Sequence, residues 1–192
     1  MGRTLTEEQF IAAARQFVRF SDEIQDDWEL IETTAGGVYL RKQTIVSTLA
    51  DVTSAENVID LDELIVNDPS GVVPHPDNKK LYRIEYHVLY SVSFQVPMLH
   101  FNAHKSDGSL LRLEEVWDAF GNIAGDDRAQ LLQSLTQMEH PILFKPFFAL
   151  HPCRTADILA NVGEASNDIV LFLSSYGPFV NLNLDLRYAN LK

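Results

Sequence analysis

One cysteine occurs in 192 residues, and it lies in the stretch His151-Pro152-Cys153-Arg154-Thr155. A structural cysteine normally behaves as a small hydrophobe among aliphatic neighbours. Cys153 instead has an imidazole on one side and a cation and a helix start on the other. Thr155 suits the N-cap of a helix beginning at Ala156, whose unpaired N–H groups and dipole favour an anion. Arg154 adds positive charge beside the thiol. If the chain runs extended here, His151 and Cys153 project to the same side, and Pro152 fixes the backbone between them. That is the setting of a nucleophilic thiol with His151 in a supporting role. Two plainer readings stand beside it: a lone cysteine is often structural, and His151 could bond a backbone carbonyl. His140, His151 and Cys153 could in principle hold a metal, but structural zinc needs four ligands and catalytic zinc three in tight motifs. No metal and no cofactor is therefore expected. Nor does any hydrolase motif or glycine-rich loop surround the thiol.

Composition narrows the class. Apolar residues make up 46% and charged residues 22% of the chain, which is ordinary for a globular protein. The length suits a single domain over residues 1–192 with one core. No run of 18 apolar residues is present, so no stable membrane insertion is expected. A net charge of −12 argues against a nucleic-acid partner, which would need a basic face, and suits protein partners with basic patches. The polar, charged start Met1-Gly2-Arg3-Thr4-Leu5-Thr6-Glu7-Glu8 does not read as a secretory signal. With no second cysteine for an internal disulfide, a reducing, cytoplasmic location follows as the expectation.

The elements that must position the thiol read as follows. Thr6 with Gln9 forms a capping box for a helix to about Asp22, with Phe10, Ile11, Ala14, Phe17 and Val18 on one stripe. Residues 28–32 and 38–46 read as a hairpin about Gly36-Gly37. Six acids and no base fall between Asp51 and Asp68, and turn signals follow, which predicts a mobile acidic excursion at about 51–80. Tyr82, Ile84, Tyr86, Val88, Tyr90, Val92, Phe94 and Val96 then alternate as one long half-buried strand. Pro97 interrupts it, and Met98–His104 continues extended to a turn at Ser106-Asp107-Gly108.

Helical spacing follows at Leu113, Val116, Trp117 and Phe120, and again at Leu131, Leu132, Leu135 and Met138. Residues 139–153 carry too many prolines for regular structure and too many aromatics for a free loop, so they must be pinned to the core in extended form. A last helix is expected from about Asn167 to near Gly177-Pro178. The sum is an α+β domain with an antiparallel meander of about four strands flanked by helices.

The 17 residues "EHPILFKPFFALHPCRT" at 139–155 resemble the active-site segment of the autophagy ubiquitin-like-conjugating enzymes, distant relatives of the ubiquitin carriers. Their Glu-His-Pro, Pro-Phe-Phe and Leu-His-Pro-Cys pieces are most similar to the Atg-ten type, and the sister Atg-three type shares the His-Pro-Cys. "VLYSVSFQVPMLHF" at 88–101 and "GPFVNLNL" at 177–184 extend the likeness. The resemblance implies a ubiquitin-conjugating-enzyme-like fold and a thioester carried on Cys153. It implies that an activating enzyme of the Atg-seven type loads an Atg-twelve-type modifier there, for transfer to a lysine of an Atg-five-type target in autophagosome formation. A thiol of lowered pKa serves both the attack and the departure in such a cycle.

The sequence departs from the pattern at two points. Ordinary ubiquitin carriers have a His-Pro-Asn several residues before the cysteine, which is missing here, and His151 is the nearest polar side chain. Some family members carry a tyrosine three residues before the proline matching Pro97, where this chain has Phe94. Tyr90, on the same strand face, either substitutes for it or belongs to the core. The rival readings are the sister lipid-conjugation branch, whose members carry long insertions, and a catalytically inactive adaptor, which would have no need of the cysteine. The outward positions His87, Ser91, Ser93 and Gln95 lack charged gatekeepers, which predicts that this strand pair recognises the target through a free edge.

Overall fold

A computed structural model describes residues 3–49, 79–121, 135–152, 155–161 and 167–191. The first helix, α1, spans Glu7–Ile24. Its start is local chemistry: Thr6 Oγ1 accepts from Gln9 N–H, and the Gln9 side chain accepts from Thr6 N–H. The helix ends at Gln25 in the left-handed region, and Phe10, Ala14, Phe17 and Ser21 form its buried stripe. Strands β1 (Glu29–Glu32) and β2 (Val38–Leu49) form the expected hairpin, with Glu29 opposite Arg41, and β2 runs three residues past the expected end.

Strands β3 (Lys79–Ser91) and β4 (Val96–His104) follow. The long strand expected through Val96 is therefore broken. The chain turns over residues 92–95, Ser91 pairs with Val96, and Pro97 sits inside β4 opposite Tyr90. A four-residue turn keeps the every-second-residue phase of apolar side chains, so the alternation runs through it unmarked. No glycine signals the bend either, because Gln95 itself takes the left-handed conformation, with φ of 54°.

Helix α2 (Leu113–Gly121) matches its expected spacing. Leu135 and Met138, expected on a helix, instead lie in strand β5 (Leu135–Glu139), while Leu131 and Leu132 fall outside the described residues. β5 is a strand because it pairs along its length with β6 (Pro146–Leu150), one part of the 139–153 stretch expected to be pinned in extended form. Between them residues 141–143 turn instead, and Phe144 is 73% exposed. The sheet thus has six strands rather than about four, all antiparallel, in the order β1-β2-β3-β4-β6-β5. Helices α3 (Thr155–Asn161) and α4 (Asp168–Tyr176) follow. Asn167 caps α4 by accepting from the N–H groups of Ile169 and Val170. The acidic excursion lies outside the described residues, except that Lys79 and Lys80 already belong to β3.

The main core fills the space between one sheet face and the helices. Leu40, Ile84, Tyr86, Val88, Leu99, Phe101, Phe148 and Leu150 meet Phe10, Phe17, Leu159, Phe172 and Leu173 there. Phe17 stacks on Tyr188 with ring centroids 4.6 Å apart, and Tyr86 Oη donates to Val180 O at 2.6 Å. The opposite face is also covered in part, because the β5–β6 connection folds over it. Tyr39, His87, His100, His140 and Phe147 are buried on that side.

Candidate active site

β6 delivers the chain to the thiol segment. Phe147, Phe148, Ala149 and Leu150 are buried, and the strand is tied to β4 at His100–Ala149 and Phe101–Phe148. Next come His151, exposed, and Pro152, buried. Cys153 and Arg154 lie outside the described residues, and the description resumes at Thr155. Thr155, expected as an N-cap, is the first residue of α3, and its buried hydroxyl donates to Tyr176 Oη at 3.0 Å. The last described residue before the thiol, Pro152, and the first after it, Thr155, are thus both buried, and Thr155 is tied to α4.

His151 meets the β3–β4 turn. Its ring lies edge-on to Phe94, with centroids 5.3 Å apart and planes at 79°. Phe94 is 43% exposed, so the pair sits at the surface. Phe94, at the position where the resemblance leads one to expect a tyrosine, thus does touch the thiol segment, through a ring contact and without a hydroxyl. Tyr90 does not substitute for that hydroxyl. It donates to Leu5 O at 2.7 Å, and its ring packs 5.9 Å from Phe10, so its role is structural.

His140 stands apart from His151. It is buried on the sheet face opposite the main core, in a group of histidines that the sequence reading did not bring together. His140 Nδ1 accepts from the N–H groups of Ile142 and Leu143, at 3.2 and 3.1 Å, so its proton belongs on Nε2. That nitrogen lies 3.0 Å from His87 Nδ1, and His87 in turn donates from Nε2 to Glu85 Oε1 at 2.9 Å. His100 packs against His140, with both ring nitrogens buried and lacking a hydrogen-bond partner among the described residues. Burial first, then the neighbouring histidines, hold His100 down to about 3. Burial and then His87 hold His140 down to about 4.

A turn centred on Ser93 and Phe94 puts His87 opposite His100, and that register is the signal which would have revealed the pair. His100 and His104, four residues apart, lie on a strand rather than a helix. No group of three or more His, Cys, Asp or Glu side chains among the described residues has the geometry to hold a metal ion.

The expected free edge is also corrected. β3 pairs with β2 from Lys79 to Leu89 and with β4 from Arg83 to Ser91, so it has no open side. His87, expected outward, is 0% exposed, whereas Ser93 and Gln95 lie in the exposed turn. The outer strands of the sheet are β1 and β5.

Residues 9–187 match the family model described as autophagocytosis associated protein, active-site domain. The chain is 33% identical to the human ubiquitin-like-conjugating enzyme ATG10 over 204 aligned positions, which cover 95% of this chain and 91% of that protein. It is 30% identical to the Arabidopsis thaliana ubiquitin-like-conjugating enzyme ATG10, over 81% of this chain and 76% of the relative. Identity to the Dictyostelium discoideum protein of the same name is 31%, over 52% of this chain and 51% of the relative. With the family model spanning both flanks of the thiol and two relatives aligned over most of their length, the chain belongs to the autophagocytosis-associated protein family, that of the ATG10 ubiquitin-like-conjugating enzymes.

Proposed function

We propose that this chain carries a ubiquitin-like modifier of the Atg-twelve type as a thioester on Cys153 and passes it to a lysine of an Atg-five-type target. The observation that carries the reading is the family match across 9–187, which encloses the chain's one cysteine. In the loading step the Cys153 thiolate attacks the carbonyl of the modifier's C-terminal glycine, held as a thioester on an Atg-seven-type activating enzyme. A new C–S bond forms, the old one breaks, and the activating enzyme's sulfur leaves as thiolate. In the transfer step the target amine attacks the same carbonyl. The amide forms, Cys153 leaves as thiolate, and the amine's surplus proton goes to a base or to solvent. His151 is assigned the support of that carbonyl or of the arriving amine. Its exposed position beside Phe94, near the thiol in the chain, favours this role. No described helix is long and apolar enough to cross a membrane, and the proposed place of action is the cytoplasm.

The test is incubation with activating enzyme, modifier and ATP, followed by a non-reducing gel. An adduct that thiols cleave is expected, and Cys153→Ser should give a stable oxyester or nothing. A thiol-labile adduct that survives Cys153→Ala would sink the assignment, because the chain has no other thiol. An adduct with a lipid-directed modifier alone would move the chain to the sister branch, and no adduct with any modifier would make it an adaptor.

A further inference from the structure

The three residues that precede α1's cap reach both flanks of the thiol segment. Arg3 N–H donates to Ala156 O at 2.9 Å, in the first turn of α3. The Arg3 guanidinium pairs with Asp168 at 2.6 Å, at the start of α4. Leu5 N–H donates to Gln95 O at 2.8 Å, and Leu5 O accepts from Tyr90 Oη at 2.7 Å. The Leu5 side chain is 5% exposed, so these backbone bonds are anchored by burial. Thr6 immediately closes the capping box of α1, which leaves the stretch no slack at its C-terminal end.

These bonds converge on one task. The turn over residues 92–95 holds Gln95 in a conformation that a non-glycine residue adopts at a cost, and the bond from Leu5 helps keep it there. Next to Gln95 in that turn, Phe94 braces His151 on the N-terminal side of Cys153. On the C-terminal side, Arg3 holds Ala156 directly. A side chain 85 residues distant from Leu5 in sequence, Tyr90, completes the attachment.

We propose that Arg3–Leu5 is a positioning strap for the thioester site, fixing the β3–β4 turn against His151 and the first turn of α3 behind Cys153. The proposal rests on the thioester reading above. Acyl transfer depends steeply on placement of the reacting groups, and such placement needs support from outside the reacting shell. None of Arg3, Leu5 or Tyr90 touches the reacting atoms in this scheme. They act through Phe94, His151 and α3.

Two substitutions loosen the strap at separate points. Tyr90→Phe removes one hydroxyl, and Arg3→Pro removes the N–H that reaches Ala156, with Arg3→Ala as the control that keeps the N–H but loses the ion pair. Hydrogen exchange of peptides covering residues 150–158, compared with β2 and β3, reads the strap itself. Single-turnover discharge of the loaded enzyme reads its consequence. Exchange at 150–158 should rise by about threefold or more in Tyr90→Phe and Arg3→Pro, with β2 and β3 unchanged. The discharge rate constant should fall by a similar factor, while the acceptor concentration giving half-maximal rate stays at the wild-type value. Arg3→Ala should lie closer to wild type than Arg3→Pro on both readouts. Unchanged exchange in both loosening variants would overturn the proposal, and so would raised exchange with discharge at the wild-type rate. If the wild-type protein forms no thioester, the function proposed above fails, and the exchange comparison alone then decides whether residues 3–5 hold the segment.

Discussion

His140 donates its Nε2–H to Nδ1 of His87 across 3.0 Å, linking the β5–β6 connection to the centre of the sheet. The bond needs a lone pair at His87 Nδ1, which His87 offers while its Nε2–H donates to Glu85. His100, packed against His140, is held neutral by burial as well.

A pH dependence of stability follows from these rings. In the unfolded chain histidines take up protons below about 6.5, whereas His140 and His100 in the folded protein resist protonation down to about 4 and about 3. Stability is therefore complete above pH 6.5 and declines as pH falls, by about 1.4 kcal/mol per pH unit for each histidine once well below that value. Glu85, held below the ordinary carboxylate range chiefly by the hydrogen bond from His87, adds its loss only at lower pH. Urea unfolding at pH 7.5, 6 and 5 measures the slope. His100→Phe should remove one histidine's share of it and, by taking away two buried nitrogens that have no partner among the described residues, raise stability at pH 7.5 by about 1 kcal/mol. A slope unchanged by that substitution would show that other groups carry the acid sensitivity.

His151→Ala should separate function from folding. The side chain is exposed and its ring contact to Phe94 lies at the surface, so unfolding should shift by less than about 1 kcal/mol. Discharge of the loaded enzyme should slow several-fold with loading nearly unchanged. Parallel melting and single-turnover experiments measure both, and an equal fall in loading, discharge and melting temperature would assign the ring a structural role.

Thr155→Val should destabilise the fold by about 1–2 kcal/mol, because it removes the hydroxyl that donates to buried Tyr176 Oη. Thr155→Ser keeps that donor and should recover most of the loss. Thermal unfolding of the two variants side by side is the measurement, and two equal losses would attribute the effect to packing alone.

Gly177→Ala should cost about 3 kcal/mol by overpacking. The reason is proximity rather than backbone freedom: φ at Gly177 is −55°, within reach of any residue. A Cβ there would lie 2.2 Å from the carbonyl oxygen of Leu182, whose own N–H donates to Gly177 O at 2.9 Å. Neither backbone group can withdraw without breaking that closure. Chemical unfolding of the variant provides the test, and a loss under about 1 kcal/mol would mean that the 177–182 loop shifts freely.

Elements stabilised by near neighbours were legible in the amino-acid sequence. The capping box of Thr6 and Gln9, the start of the last helix at about Asn167 and the hairpin about Gly36-Gly37 each close within a few residues, so residue type and spacing were enough. The thiol segment was legible for a different reason. Its prolines and aromatics leave the chain little choice but an extended, buried path, and β6 takes it.

Tertiary structure decided what no short window could. Leu135 and Met138 are spaced for a helix, and β5 forms only because β6 supplies its partner, Leu135 opposite Leu150 and Met138 opposite Phe147. The bend at 92–95 hides inside an unbroken alternation because four residues keep its phase, and the turn forms because β4 then folds back along β3 in a ladder of hydrogen bonds. His87 reads as an outward residue until the β5–β6 connection arrives to bury it beside His140, 53 residues away. Tyr90 reads as either core or catalytic until Leu5 takes its hydroxyl. Sequence alone raised the expectation of thiol chemistry at Cys153, because that expectation rests on residue types there. Which groups meet the described residues on either side of the thiol was set by contacts between distant segments, whose energy appears only when the whole sheet has closed.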